Sequence, residues 1–192
     1  ANTIAELRGW TQFIGLQTKY SLLDRSYEYD LLPVTLDSGM ATVPWGILES
    51  GFLTGKYERP TANEFQVTGL RTAFVNQVLA DDKNWDILDE VKAIAQEVGR
   101  TSAQVATNWA LQRPGITSIL AGAKTVDQLK DNLLALDFTL TPEQIARLDA
   151  VSKPSPREVP FSTRLMQTGG WAKYMVPGKS KPAAPYRFTL GV

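Results

Sequence analysis

Two residue types that often build protein sites are missing from this sequence. Its 192 residues include no cysteine and no histidine. The lack of cysteine excludes disulfides and thiolate metal sites, and the lack of histidine removes the commonest metal ligand. We therefore expect the protein to hold neither a structural nor a catalytic metal.

Net charge and long apolar runs are also missing. The 20 basic and 20 acidic residues cancel, so nothing favours a nucleic acid or an anionic membrane as a partner. No apolar run approaches the roughly 18 residues of a membrane-spanning helix, and no signal-peptide pattern starts at Ala1. We expect a soluble, cytoplasmic protein. Its hydrophobic content of 43% is enough for a packed core.

The segment 119–133, ILAGAKTVDQLKDNL, is the most informative part of what is present. The run from Ile119 to Ala121 predicts a short buried strand. Gly122 and Ala123 follow it, and both are small enough to let a ligand approach the backbone closely. This pattern predicts a strand whose end lies beside a bound ligand.

A helix is predicted to start directly after these small residues. Thr125 and Gln128 have the spacing of a capping box. Five apolar residues continue at the helical spacing of one buried face: Val126, Leu129, Leu133, Leu134 and Leu136. The free N–H groups of a helix start attract anions, and Lys124 adds a positive charge there. The pattern fits a phosphate site, and it also fits an ordinary capped helix beside a solvated lysine.

Glycine is concentrated in a second stretch, residues 40–57, MATVPWGILESGFLTGKY. A strand-like start at 41–43 precedes a proline and then three glycines within ten residues. They are Gly46, Gly51 and Gly55. Glycines in such a loop supply unusual backbone dihedrals or room for a ligand.

Three motifs, in this chain order, resemble the aldo-keto reductase family. Gln17 with Thr18 to Arg25, TKYSLLDR, resembles the strand-6 signature QxxYSLLDR. Trp45 to Tyr57 resembles the strand-7 loop, approximately WxPLxxGxLTGKY, and Gly122 to Asn132 resembles the strand-8 segment, approximately GAxTxxQLxxN. The resemblance covers roughly residues 5–152. It implies an α/β fold that is part of a TIM (β/α)8 barrel, strands 6 to 8 with their helices.

The length of the chain bears on how much of such a barrel it contains. A complete barrel takes about 250 residues or more. We therefore expect residues 1–151 to be the C-terminal half of an aldo-keto reductase barrel and 152–192 to be a proline-rich tail. The N-terminal half would then come from a partner, or the chain would be a fragment of a longer polypeptide.

The resemblance implies which residues bind the cofactor. Gln17 would hydrogen-bond the nicotinamide carboxamide, and the Trp45 ring would stack on the nicotinamide. Core packing would be the favoured explanation of an isolated tryptophan, and the place of Trp45 within the motif reverses this preference. The loop over the pyrophosphate would contain Gly46, Leu48, Gly51 and Lys56. The pocket for the adenosine 2′-phosphate would contain Gly122, Ala123, Lys124 and Thr125. Contacts to the adenine and ribose would come from Gln128, Asp131 and Asn132.

The resemblance favours NADP(H) over NAD(H) as the cofactor. Lys124 stands where a cation would meet a 2′-phosphate. No acidic residue stands where it would bind a free ribose hydroxyl, as in NAD-specific sites.

The catalytic residues of the family have no counterpart in this sequence. Members reduce carbonyl groups with an Asp, a Tyr, a Lys and a His from the first half of the barrel, whereas Tyr20 and Tyr57 belong to the other motifs. The implied function is the NADP(H)-binding portion of an oxidoreductase, which would transfer hydride to an aldehyde or ketone once the missing half completes it. One alternative is a non-catalytic nucleotide-binding half-barrel that acts as an interaction or assembly module, in a homo- or hetero-oligomer. Another alternative is a marginally folded relic.

The rest of the sequence fits an α/β alternation. Strands are predicted at 13–20, 40–43 and 118–121, and helices at 29–36, 85–98, 102–112 and from 141 onward. Gly99 would end the second of these helices, and Thr141 with Gln144 has the spacing of a capping box at the start of the last. The apolar residues expected in the core are Leu31, Leu32 and Leu36 in the first helix, Trp85, Leu88, Val91, Ile94, Ala95 and Val98 in the second, and Val105, Ala106, Trp109 and Ala110 in the third. Residues 58–82 would form a flap over the cofactor or a long connection. Four tail side chains would line a substrate pocket, or would pack against the barrel or a partner: Phe161, Met166, Trp171 and Tyr174.

Overall fold

A computed structural model describes residues 1–59 and 72–154, without the side chains of 72–74. It contains two strands, β1 (Gly15–Lys19) and β2 (Ala41–Trp45). The helices are α1 (Asn2–Arg8), α2 (Leu31–Asp37), α3 (Thr72–Leu79), α4 (Asp82–Val98), α5 (Ser102–Leu111), α6 (Val126–Leu133) and α7 (Pro142–Val151). Short 3-10 segments occupy Ser26–Glu28, Glu49–Thr54 and Leu134–Leu136. The predicted α/β class is confirmed.

The two strands are parallel and pair in register along their whole length, from Gly15 with Ala41 to Lys19 with Trp45. Both lie where the sequence predicts a strand. Their side chains divide between two faces, because successive residues of a strand point to opposite sides. The face that carries the buried Thr42 packs onto the core, and the face that carries Gln17 and Trp45 is open.

A third segment runs beside β2, but the predicted strand at 118–121 is wrong. Ile116 bridges to Thr42, and the amides of Thr117 and Leu120 donate to the carbonyls of Thr42 and Pro44, each at 2.9 Å. Leu120 is 46% exposed, so its predicted burial is also wrong. Within the described residues this segment has backbone partners on one side only, and these few bonds do not make a continuous ladder.

The core lies between the covered face of the sheet and helices α3, α4, α5 and α7. The apolar stripes predicted for α4 and α5 are buried in it: Trp85, Leu88, Val91, Ile94, Ala95, Val105, Ala106, Trp109 and Ala110. Helix α4 packs against both α5 and α7. On α2, only Leu32 of the three predicted core leucines is buried, while Leu31 and Leu36 are more than one-third exposed.

Side-chain caps and glycine set the helix ends. Thr141 and Gln144 form the predicted capping box at the start of α7. Thr101 and Gln104 form a second one at the start of α5, which the sequence analysis missed. Gly99 ends α4 with φ of 64°, a left-handed conformation that favours glycine.

A buried ion network connects the segment after β1 to the last helix. Arg25 Nε and Nη2 donate to the two carboxylate oxygens of Glu28, each at 2.9 Å. Arg25 Nη1 donates to Ser152 Oγ at 2.9 Å and lies 3.1 Å from Asp149. The Tyr20 hydroxyl donates to Glu28 at 2.5 Å. These contacts satisfy a carboxylate and a guanidinium that are both more than nine-tenths buried.

Helix α6 faces the opposite way from the prediction. The five residues expected to form a buried face are all at least 41% exposed. The side of α6 that meets the fold is polar, since Gln104 of α5 donates to the Asp131 carboxylate at 2.7 Å. The apolar side therefore points away from the described elements, and only Ala135 in the following turn is buried.

Part of the 58–82 prediction and most of the tail prediction fall outside the described residues. Residues 72–79 form α3, which the weak periodicity did not reveal. The segment 60–71 and the tail residues Phe161, Met166, Trp171 and Tyr174 lie outside the described ranges. No helix of those ranges is long and apolar enough to cross a membrane. In the same part of the chain, no three acidic side chains are grouped so as to hold a metal ion.

Candidate functional site

Gln17 and Trp45 lie on the open face of the sheet, near the carboxyl ends of the two strands. Trp45 pairs with Lys19, so the two predicted nicotinamide contacts are two residues apart along the ladder. The Gln17 side chain is exposed and hydrogen-bonds no other described residue. Trp45 is 46% exposed, which excludes core packing as its whole explanation. An amide and an indole ring are thus presented together on one surface.

The glycine-rich segment 46–56, which we call the β2 loop, follows β2 directly. Its backbone enters the left-handed region at Gly46 (φ 80°), Glu49 (43°), Ser50 (56°), Gly51 (88°) and Gly55 (76°). Glycine adopts this conformation readily, whereas Glu49 and Ser50 are strained in it. Strain of this kind persists where surrounding contacts hold the backbone in place.

Contacts of the Glu49 side chain fix the strained part of the β2 loop. Glu49 is 7% exposed, and its Oε1 atom accepts a hydrogen bond from Ser21 Oγ at 2.6 Å. The same oxygen lies 3.1 Å from Lys19 Nζ, which is also 3.5 Å from Asp24. The sequence analysis missed this cluster because the partners are about 30 residues apart and belong to two different motifs.

Lys56 lies against the backbone of the β2 loop. A Cβ atom built on Gly51 would be 2.7 Å from Lys56 Nζ, so the ammonium group occupies the space beside this glycine. The same Nζ is 4.8 Å from the centre of the Tyr57 ring. A close approach to Gly51 was expected from a ligand, and here a lysine of the protein makes it. The loop therefore carries a positive charge beside its own backbone.

The segment around Gly122 is adjacent to the end of β2 through the Leu120–Pro44 hydrogen bond. All residues from 121 to 130 are exposed. A Cβ atom on Gly122 would meet nothing within 4 Å. The Lys124 side chain forms no ion pair with any other described residue. Gly122, Ala123 and Lys124 thus border open space.

The start of α6 is only partly capped as predicted. Thr125 Oγ1 accepts from the Gln128 amide at 3.2 Å, which is one half of the capping box. Gln128 Oε1 accepts from the Lys124 amide at 2.8 Å and not from that of Thr125. A ligand that accepted from the Gln128 Nε2 group would leave this bond in place.

Asp131 and Asn132 bind to the protein itself. The Asp131 carboxylate accepts from Gln104 Nε2. The Asn132 amide donates weakly to the Gly122 carbonyl at 3.5 Å. Of the charged residues in the third motif, Asp131 is thus bound to a neighbouring helix, while the Lys124 side chain has no ion pair with any other described residue.

Tyr20, which follows β1 directly, does not present an acid to this surface. Tyr20 is 1% exposed. Burial, followed by the charge of Glu28, raises the pKa of Tyr20 well above its ordinary value. The groups that this surface presents are thus an amide, an aromatic ring and two lysines, and the buried Tyr20 hydroxyl, which donates to Glu28, is not among them.

Comparison with known proteins identifies relatives of the whole described region. The sequence model of the aldo/keto reductase family matches residues 1–153. An uncharacterized oxidoreductase of Bacillus subtilis, YrpG, is 32% identical over 160 residues, 83% of this chain and 47% of the relative. The versiconal hemiacetal acetate reductase of Aspergillus parasiticus is 32% identical over 76% of this chain and 42% of its own.

The name of a third relative indicates a different role for that protein. The probable voltage-gated potassium channel subunit beta of Oryza sativa is 33% identical over 147 residues, 73% of this chain and 44% of the relative. The chain spans about half the length of the curated relatives that it matches.

Proposed function

The chain belongs to the aldo/keto reductase family, and we propose that it supplies the NADP(H)-binding portion of a carbonyl reductase. The observation that carries this proposal is the joint exposure of Gln17 and Trp45 at the carboxyl ends of paired parallel strands. Ligands of α/β proteins with parallel strands bind at these ends. An amide beside an exposed aromatic ring suits a flat ring that bears a carboxamide.

The residues that surround this surface fit the rest of a dinucleotide phosphate. Lys56 places a positive charge on the β2 loop, next to the expected pyrophosphate position. Lys124 and the start of α6 offer a second positive region, which suits the 2′-phosphate and favours NADPH over NADH. The space beside Gly122 leaves room for this group.

The α/β fold with parallel strands is that of part of the family's barrel. We assign β1, β2 and the segment 116–121 to strands 6 to 8, and residues 1–151 to the C-terminal half of the barrel. The chain order of the three motifs supports this assignment, and so does the order β1, β2, segment 116–121 across the sheet. The open sheet face and the outward apolar side of α6 are surfaces that the rest of a barrel would cover.

When bound, the cofactor supplies a hydride for reduction of an aldehyde or ketone to an alcohol. In this proposal, residues of this chain hold the two ends of the cofactor. Gln17 orients the carboxamide, Trp45 covers one face of its ring, and Lys124 binds the 2′-phosphate. The proton donor and the residues that activate it belong to the other half of the protein.

A second candidate function is an assembly module that binds the nucleotide without chemistry. The apolar side of α6 and of the 3-10 turn after it, whose five large side chains are at least 41% exposed, favours a role in association. This candidate shares the cofactor site with the first and differs from it in activity.

Titration of the purified chain with NADPH and NADH, followed through tryptophan fluorescence and calorimetry, tests the cofactor site. We expect saturable binding of both nucleotides, with NADPH bound more tightly. No saturation by a chain that is folded by circular dichroism would contradict the proposal.

Turnover separates the two candidates. With NADPH and an aromatic aldehyde, the chain alone should bind nucleotide and show no NADPH oxidation. Oxidation that appears when the remaining portion of its own protein is added supports the reductase. Continued inactivity of that complete protein supports the assembly module, and turnover by the chain alone would contradict the location of the catalytic residues.

A further inference from the structure

We propose that Glu49 is a positioning residue of the cofactor site: its buried carboxylate, bound by Ser21 and Lys19, holds the left-handed turn 49–51 against the end of β1. The inference rests on the proposed function for its meaning, because the β2 loop is the segment assigned to the pyrophosphate. The contacts themselves do not depend on that assignment.

The backbone of the turn needs an external restraint. Glu49, Ser50 and Gly51 are three consecutive residues with positive φ, and only the last is a glycine. Residues with a Cβ atom rarely adopt this conformation without support. The amides of Gly51 and Leu53 donate to the Leu48 carbonyl at 2.8 and 3.2 Å, so the turn closes on itself but remains strained.

The restraint acts through one oxygen atom. Glu49 Oε1 accepts a hydrogen bond from Ser21 Oγ at 2.6 Å and forms an ion pair with Lys19 Nζ at 3.1 Å. Ser21 is fully buried and its hydroxyl also accepts the amides of Leu23 and Asp24, so it is a rigid anchor. A carboxylate as buried as that of Glu49 is stable only with such partners. The side chain therefore connects the β2 loop to the segment that follows β1.

The position of the turn determines where Lys56 lies. The Lys56 ammonium rests beside Gly51, 2.7 Å from the place of a Cβ atom, and the Thr54 hydroxyl donates to the Gly51 carbonyl at 2.7 Å. A displacement of the turn would move both contacts. Glu49 does not itself point to a ligand in this scheme; it acts through the loop and its lysine.

Amide hydrogen exchange, measured by NMR at Gly51, Leu53 and Gly55, tests the restraint directly. Glu49→Gln keeps the shape of the side chain and removes its charge, and we expect exchange at these amides to accelerate by about tenfold. Ser50→Gly is the matched control, because it relieves backbone strain and leaves the carboxylate in place, so exchange should not accelerate. Lys19→Met should have a smaller effect than Glu49→Gln, since Ser21 remains bound.

Two exchange results would overturn the inference. One is a wild-type rate in Glu49→Gln. The other is an equal acceleration at the Ile94 and Ala95 amides of α4, because this would mean that the variant loses stability throughout the fold and that Glu49 does not restrain the β2 loop specifically.

Nucleotide titration of the same variants links the restraint to the cofactor. NADPH and NADH both contain the pyrophosphate, so Glu49→Gln should weaken the binding of both nucleotides by the same factor, about tenfold. Unchanged affinities, or a loss confined to NADPH, would refute a role at the pyrophosphate. If the wild-type chain binds neither nucleotide, the proposed function fails, while the exchange rates still decide whether Glu49 holds the turn.

Discussion

Arg25 binds Glu28 at two points, Nε to one carboxylate oxygen and Nη2 to the other, with both distances 2.9 Å. The pair is almost completely buried, at 8% and 4% exposure. A buried pair of this kind adds little to stability compared with apolar packing, but the loss of one partner leaves the other charge without compensation. The pair therefore makes the fold sensitive to either residue.

Glu28→Gln should lower the free energy of unfolding by about 3 kcal/mol, because the buried Arg25 would lose its buried carboxylate partner and keep only the partly exposed Asp149. Urea denaturation followed by circular dichroism measures the change. Glu90→Gln is the control, since Glu90 meets Arg147 at a partly exposed pair, and it should cost much less. Equal losses for the two variants would contradict the importance of burial.

Ionisation of Tyr20 should lower the free energy of unfolding at alkaline pH. Its pKa is raised in the folded protein, first by burial and then by Glu28. A raised pKa means that the folded state favours the protonated phenol, so this contribution is complete below the ordinary tyrosine pKa and is lost as pH rises through the folded one. Thermal unfolding between neutral pH and pH of about 11 should show this decline.

Tyr20→Phe provides the comparison for that measurement. The variant cannot ionise, so its stability should fall less steeply over the alkaline range, although its stability at neutral pH is lower because Glu28 loses a hydrogen bond. Parallel alkaline declines in the two proteins would show that another group is responsible.

Trp45→Ala should weaken nucleotide binding by about tenfold, because it removes the ring that covers the nicotinamide. Calorimetry is the suitable measurement, since the variant also loses a fluorescent reporter. Trp10→Ala is the matched control: Trp10 is 59% exposed and lies under Arg8, outside the proposed site. A similar loss in both variants would remove Trp45 from the site.

Lys124→Glu should weaken the binding of NADPH by about 10- to 100-fold and change the binding of NADH little, because only NADPH carries the 2′-phosphate. Lys130→Glu reverses a charge on α6, away from the start of that helix, and should leave the ratio of the two affinities unchanged. Competition titrations with both nucleotides give this ratio. An equal loss for NADPH and NADH in Lys124→Glu would refute the 2′-phosphate pocket.

Local patterns in the sequence predict those parts of the fold that local chemistry determines. The end of α4 at Gly99 and the capping box of Thr141 with Gln144 depend on a few adjacent residues, and both are confirmed. The two strands and the buried stripe of α4 follow from short-range periodicity. The three motifs also predict the family, which the match over residues 1–153 confirms.

Features that depend on distant residues could not be predicted in the same way. The periodicity of α6 shows that one side is apolar, but not which side faces the fold; the contact of Asp131 with Gln104 decides that. The contact of Glu49 with Lys19 and Ser21 joins two motifs, and nothing in either motif indicates the other. The predicted cofactor roles remain predictions, and the side chains of Gln17, Trp45 and Lys124 are exposed.

The Arg25 network has a consequence for the way the chain folds during synthesis. The Arg25 guanidinium donates to the Asp149 carbonyl, which lies 124 positions further along the chain, and to the Ser152 hydroxyl, which lies 127 positions further along. At ribosomal rates of about 5–20 residues per second, Arg25 is made several seconds before these partners. Contacts of such long range also slow the folding step itself. Packing around Arg25 therefore waits for α7, and an incomplete chain that ended before this helix would keep a cation in its centre without a full set of partners.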